Sequence, residues 1–167
     1  MRLDPQNPTL GSPAPACKVQ GFSLIELVIA MVIGAILVSI AIPSYTRYVL
    51  RAHRTEAKTA LLDLASMQER YFSTQNVYST ATTDLGYAGA WPITVGNGYY
   101  QVQVPVVVPA VAPTALSPGG TPSTYSITAV PIGTQVNDAA CASFTITSAG
   151  TKTATGTDPT PNVTCWN

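Results

Sequence analysis

An unbroken apolar run from Phe22 to Ile42 gives way, past Pro43, first to a helical stripe and then to strict alternation. The run holds 21 residues with Glu26 as its sole charge, and about 20 apolar residues cross a bilayer core as a helix. Beyond it, Ala57, Ala60, Leu61, Leu64, Gln68 and Phe72 recur at the spacing of one helix face, the stripe of a helix lying on a core. Arg54, Lys58, Asp63 and Arg70 fall on its other faces. Pro43 cannot donate a backbone hydrogen bond and kinks a continuous helix. The pattern therefore predicts one long bent helix from about Phe22 to Phe72, its first half spanning and its second half carrying a sheet.

Period-2 alternation follows. Tyr99–Val104, Tyr125–Ala129 and Ser143–Thr147 read as strands, and Ala149-Gly150 turns the chain into a fourth, Thr151–Thr155. Antiparallel pairing leaves Thr on an exposed outer face. Pro105, Pro109, Pro113, Pro118 and Pro122 exclude a central strand from residues 105–122 and predict an extended, partly mobile loop. Residues 73–91 read as an irregular connection. The fold class is α+β, with a long helix on a small antiparallel sheet.

Charge narrows the function. Eight Lys and Arg balance eight Asp and Glu, yet Arg47, Arg51, Arg54, Glu56, Lys58, Asp63, Glu69 and Arg70 crowd into one stretch. After Phe72 only Asp84, Asp138, Lys152 and Asp158 remain. Such a Thr-, Ser-, Val-, Ala- and Pro-rich module reads as extracellular. A basic patch is missing, so no nucleic acid is expected as a partner of the isolated subunit. The single histidine, His53, sits between Arg51 and Arg54 with no cysteine or carboxylate cluster beside it, and reads as a solvated helix face. No Cys-x-x-Cys or phosphate-binding glycine loop occurs. No catalytic residue, metal or cofactor is predicted, and the chain is not read as an enzyme. Asn162-Val163-Thr164 fits a glycosylation acceptor pattern but, after Pro159 and Pro161, reads as a turn.

Glu26 is the feature these readings leave unexplained. A carboxylate in hydrocarbon costs roughly 2.5–3.5 kcal/mol on insertion scales and needs a partner. Lys18 and Arg47 are the nearest cations, and a cut at Gly21 would add a third, the amine of Phe22. A secretory signal peptide has a shorter apolar core ending in a small-residue site. A lipoprotein cysteine would follow the apolar run, whereas Cys17 precedes it. A single-pass anchored extracellular domain remains an alternative, but leaves the Gly21-Phe22 register unaccounted for.

The run GFSLIELVIAMVIGAILVSIAIP resembles the prepilin N-terminus of type IV pilins and of the pseudopilins of type II secretion. The resemblance implies a leader over residues 1–21 and peptidase cleavage between Gly21 and Phe22. It also implies N-methylation of Phe22 and pairing of Glu26 with a neighbouring subunit's Phe22 amine. Residues 22–42 become the transmembrane and assembly helix, Pro43 its kink, and residues 43–167 a globular pilin domain. Ser143 to Lys152, followed by Cys165-Trp166, resembles the disulfide-bounded C-terminal region of minor pilins of the type IV fimbrial assembly. Of the three cysteines, Cys17 falls in the leader, and Cys141 and Cys165 are expected to pair in an oxidising compartment. Basic residues after the run outnumber Arg2 and Lys18 before it, against the positive-inside tendency; the cysteines and the prepilin register outweigh that count.

The implied function is assembly of a type IV pilus, with twitching motility or adhesion as roles of the fibre. A type II pseudopilin is the alternative. Expected partners are other pilin subunits, the prepilin peptidase and the assembly platform. The subunit is expected in the inner membrane before assembly and in the extracellular pilus afterwards.

Overall fold

The computed structural model describes residues 21–113 and 119–167. Residues 1–20 of the expected leader, with Cys17 and Lys18, and residues 114–118 of the Pro-rich loop, with Pro118, lie outside the described residues. The chain divides into two units, Met1–Ala41 and Ile42–Asn167.

Helix α1 runs from Leu24 to Gln75 as one element with Pro43 inside it. In the second unit its stripe buries Arg54, Ala57, Leu61, Leu64, Ala65 and Gln68. These pack on one face of an antiparallel sheet whose strands are β1 (Ile93–Val95), β2 (Tyr100–Val102), β3 (Val106–Val108), β4 (Thr124–Pro131), β5 (Ser143–Thr147) and β6 (Lys152–Thr155). The order is β1-β2-β4-β5-β6, with β3 also paired to β4. Alternation sends Tyr100, Val102, Tyr125, Ile127, Ala129, Phe144, Ile146 and Ala154 inward. Thr128 and Thr145 meet on the outer face with hydroxyls 2.9 Å apart, and Ser143 meets Thr155 at 2.6 Å.

Two strands lie where the sequence pattern predicts none. β1 is three residues long between Pro92 and Gly96, too short for alternation to register. β3 lies inside the predicted Pro-rich loop and corrects that part of it. Pro105 and Pro109 flank Val106–Val108, where their missing N–H groups interrupt no ladder. β2 and β3 share one edge of β4. Val102 faces Ala129 and Val106 faces Ser126, so four steps on one strand oppose three on the other, the extra residue of a bulge at Pro105. Val111 and Thr121 then form an isolated antiparallel bridge.

Polar side chains fasten the helix to its surroundings. Gln68, fully buried, donates to the Ser79 carbonyl (2.6 Å) and accepts from the Ser79 N–H (3.0 Å), fixing the chain that leaves the helix. Glu56 accepts from the backbone and side-chain nitrogens of Asn97 at 2.9 and 2.8 Å, holding the β1–β2 turn. Gly96 is required there: its φ is +60°, and a Cβ would overlap the Glu56 carboxylate.

Candidate assembly surface

In the first unit every described residue is exposed except the half-buried Gly34. From Phe22 (83% exposed) to Ile42 (61%), fourteen large apolar side chains face outward. The helix that contains all of them but Phe22 is long and apolar enough to cross a membrane. Burying each such side chain gains about 1.5–3 kcal/mol, so water is not their resting environment.

Gly21 and Phe22 precede the helix. Glu26 lies in its first turn, where the helix dipole favours a negative charge. Ser23 and Glu26 have the spacing of a capping box, yet neither side chain bonds any described residue. The carboxylate is thus open to an outside partner. Pro43 leaves the helix assignment unbroken, and its carbonyl accepts from Arg47 Nε at 3.3 Å.

The helix face read as solvated is engaged at two positions, the half-buried His53 and the buried Arg54. Arg54 donates through Nε and Nη2 to both carboxylate oxygens of Asp138. The Asp138 hydrogen bond raises the Arg54 pKa despite the opposing effect of burial. His53 stacks on Tyr99 with ring centroids 3.6 Å apart, and its Nδ1 lies 3.1 Å from Gln135 Oε1. Gln135 Nε2 reaches the Leu50 carbonyl, the Tyr100 hydroxyl and Asp138. Sequence reasoning missed this network because Gln135 and Asp138 stand in a 3-10 turn, Gly133–Asn137 and its cap, more than 80 residues from their helix partners. Three oxygen or nitrogen side chains so spaced carry no signal in a linear pattern.

Cys141 and Cys165 form a disulfide, and both are fully buried. The bridge closes over β5, β6 and the short helix α2 (Pro161–Thr164). Trp166 packs edge-on against Phe144 and donates from Nε1 to the Thr153 carbonyl at 2.8 Å. Asn162 Oδ1 accepts from the Ala154 N–H at 2.7 Å, so the side-chain oxygen of the acceptor-pattern asparagine holds it against β6. Lys152 lies 5.5 Å over the Trp166 ring. Among the described residues no group of three or more His, Cys, Asp or Glu could hold a metal.

An apolar N-terminal helix continuing onto an antiparallel sheet, closed at the C-terminus by a disulfide, defines a type IV pilin. The prokaryotic N-terminal methylation motif matches residues 17–42. The chain belongs to the family described as type IV minor pilin ComP, DNA uptake sequence receptor, which matches residues 43–145. The type IV major pilin protein PilA of Myxococcus xanthus (strain DK1622) is 41% identical over 69 residues, 41% of this chain and 31% of that protein. The chain thus matches less than a third of that relative's length. A solved type IV pilin from Shewanella oneidensis is 20% identical with a TM-score of 0.42, covering 71% of this chain and 98% of that one. The chain is thus a type IV pilin, a member of a family of pilus structural subunits. The type II pseudopilin alternative is not favoured. Family and fold are structural in kind, and they imply a membrane-anchored precursor and an extracellular pilus.

Proposed function

We infer that this chain is a minor pilin, cut between Gly21 and Phe22 by the prepilin peptidase and methylated at Phe22. In this reading residues 1–21 are removed, residues 22–42 hold the subunit in the inner membrane, and residues 43–167 form the external domain. The assembly platform passes the subunit into the fibre, where Glu26 pairs with a neighbour's Phe22 amine and the helix bends at Pro43. Through the fibre it serves twitching motility or adhesion. It is not an enzyme and uses no cofactor.

A single observation carries this reading: fourteen large apolar side chains are exposed around one carboxylate that has no partner among the described residues. Two opposite charges in a low-dielectric setting attract strongly, while either alone is penalised. The partial match is to a major pilin, so abundance is the test of minor status. Sheared pili should contain the chain as a small fraction of total pilin; a preparation dominated by it overturns the minor assignment.

The family description also names a DNA uptake sequence. From Ile42 onward six basic residues meet six acidic ones, and Arg54 is spent on Asp138. Lys152, 5.5 Å over the Trp166 ring, and Lys58, which donates to the Asn167 carbonyl, are the cations gathered beside an aromatic ring. Two phosphate contacts give a weak, steeply salt-dependent interaction, and we read the isolated subunit as having no nucleic-acid partner of its own. Duplex retention by the full chain in 150 mM salt, lost in Lys58→Gln/Lys152→Gln, overturns that reading.

A further inference from the structure

Four basic residues, Arg47, Arg51, Arg54 and Lys58, follow the apolar run, and the structure divides them. Arg54 is committed to Asp138, and Lys58 Nζ donates to the Asn167 carbonyl at 3.1 Å. Arg47 and Arg51 are exposed. Arg47 spends one N–H on the Pro43 carbonyl, and neither arginine meets a carboxylate among the described residues. Every described acidic side chain from Glu56 onward already accepts a hydrogen bond inside the domain.

Ser44, Arg47, Tyr48 and Arg51 stand at i, i+3, i+4 and i+7, one face of α1. They line a concavity of about 300 Å³. Two guanidinium groups one turn apart repel unless an anion lies between them, and a planar fork of N–H donors matches phosphate oxygens. Tyr48 and the adjacent Tyr45 are 71% and 70% exposed. Tyrosines with a bare ring and a free hydroxyl are characteristic of the membrane–water boundary.

The location identifies the anion. Ser44 to Arg51 follow Ile42, the last residue of the apolar run, by two to nine residues. A helix rises about 1.5 Å per residue, and the headgroup layer on each side of a bilayer is roughly 5–8 Å deep. Ser44 to Arg47 fall within that layer, and Tyr48 and Arg51 reach back to it by snorkelling.

We propose that Ser44, Arg47, Tyr48 and Arg51 form a binding site for the phosphate of an anionic phospholipid, which holds the subunit at a fixed depth until it is extracted into the fibre. The site rests on the reading that residues 22–42 span the membrane. It also accounts for the excess of arginine beyond the run: two of the four cations serve the fold, and two serve the bilayer surface.

The test is native mass spectrometry of the full chain, purified from membranes in a zwitterionic detergent and offered phosphatidylglycerol or phosphatidylcholine with identical acyl chains. Each basic residue near an anionic surface contributes roughly fivefold, so the wild type should retain phosphatidylglycerol about thirtyfold better. Arg47→Gln/Arg51→Gln should lose the preference, while Arg47→Lys/Arg51→Lys should keep most of it. An unchanged preference in the glutamine variant, or none in the wild type, overturns the site. So does a glutamine variant that binds both lipids as the wild type does but is missing from sheared pili, since the arginines would then serve a neighbouring subunit. Carbonate extraction separates the underlying reading: wild-type chain released from the membrane pellet brings down the span, and the proposal with it. Loss of lipid preference in a chain that stays in the pellet concerns the site alone.

Discussion

The Arg54 guanidinium meets the Asp138 carboxylate fork to fork, at 2.7 and 2.8 Å, with the side chains only 9% and 5% exposed. One partner comes from the helix and the other from the turn after β4, so the pair ties distant parts of the domain together. Removing one partner leaves a buried charge alone. Asp138→Ala should cost about 3–5 kcal/mol, whereas Arg54→Met/Asp138→Leu should recover most of the loss. Urea unfolding of the full chain in detergent reads both. A double variant as unstable as the single one would show that the cost lies in packing and not in the stranded charge.

Alkaline pH should unfold the domain through its tyrosines. Burial, partly offset by the Gln135 hydrogen bond, pushes Tyr100 up to about 12, and burial with the Asp63 hydrogen bond takes Tyr87 to about 12. Burial and Glu69 push Tyr125 higher still. The fold favours the neutral phenol, so between about pH 10 and 12 the unfolded chain has released protons that the folded one retains. Stability is full below about pH 10 and falls as pH rises through that window. Lys58, lowered by burial and then by Arg54 and Lys152, acts with the opposite sign at the start of the window. Thermal melts from pH 9 to 11.5 should steepen above pH 10, and Tyr100→Phe should flatten the slope; an unchanged slope rejects Tyr100 as a contributor.

Breaking the bridge should weaken the fold. Cys141→Ser removes a covalent loop of 24 residues' separation, worth roughly 3–4 kcal/mol on the chain-entropy account, and puts a hydroxyl into a fully buried position. A urea midpoint unchanged in Cys141→Ser would mean that Phe144, Trp166 and Asn162 hold the C-terminal region without it.

How much of this was legible beforehand depended on distance along the chain. The stripe Ala57, Leu61, Leu64, Gln68 and the alternation of Tyr125–Ala129 and Ser143–Thr147 are local signals, and each element formed where its period placed it. Ile93–Val95 was invisible because three residues hold only one alternation. Val106–Val108 was masked by the prolines on either side, which exclude a central strand but not an edge. His53 and Arg54 looked solvated because nothing within a helical turn reveals Tyr99, Gln135 or Asp138. Gln68 stood in an apolar stripe as an apparent misfit; its Ser79 partner explains it.

Processing should be specific to one bond. Intact-mass analysis of the mature protein should find a chain beginning at methylated Phe22, and Gly21→Val should leave the precursor uncut. A mature protein that starts elsewhere removes the free amine from the assembly scheme.

Glu26→Ala should still insert into the membrane and be cut at Gly21, but enter fibres poorly; Glu26→Asp should fall between, since its reach is shorter. Subunit content of sheared pili, normalised to membrane levels, measures this. Normal incorporation of Glu26→Ala would sink the charge pair while leaving the pilin family assignment intact.

A fibre subunit lives under load, and the disulfide decides how far this one can lengthen. The segment between Cys141 and Cys165 contains two hairpin-linked strands and a helical turn, and 24 residues of extended chain measure about 80 Å at roughly 3.4 Å each. Oxidised, that contour length is withheld from the applied force even after the surrounding sheet has given way. Reduced, it is released, so single-molecule stretching with and without a reductant should differ in final extension by about 80 Å less the short span of the bridge itself. The cysteine pair therefore caps the extensibility of the subunit as well as securing its fold.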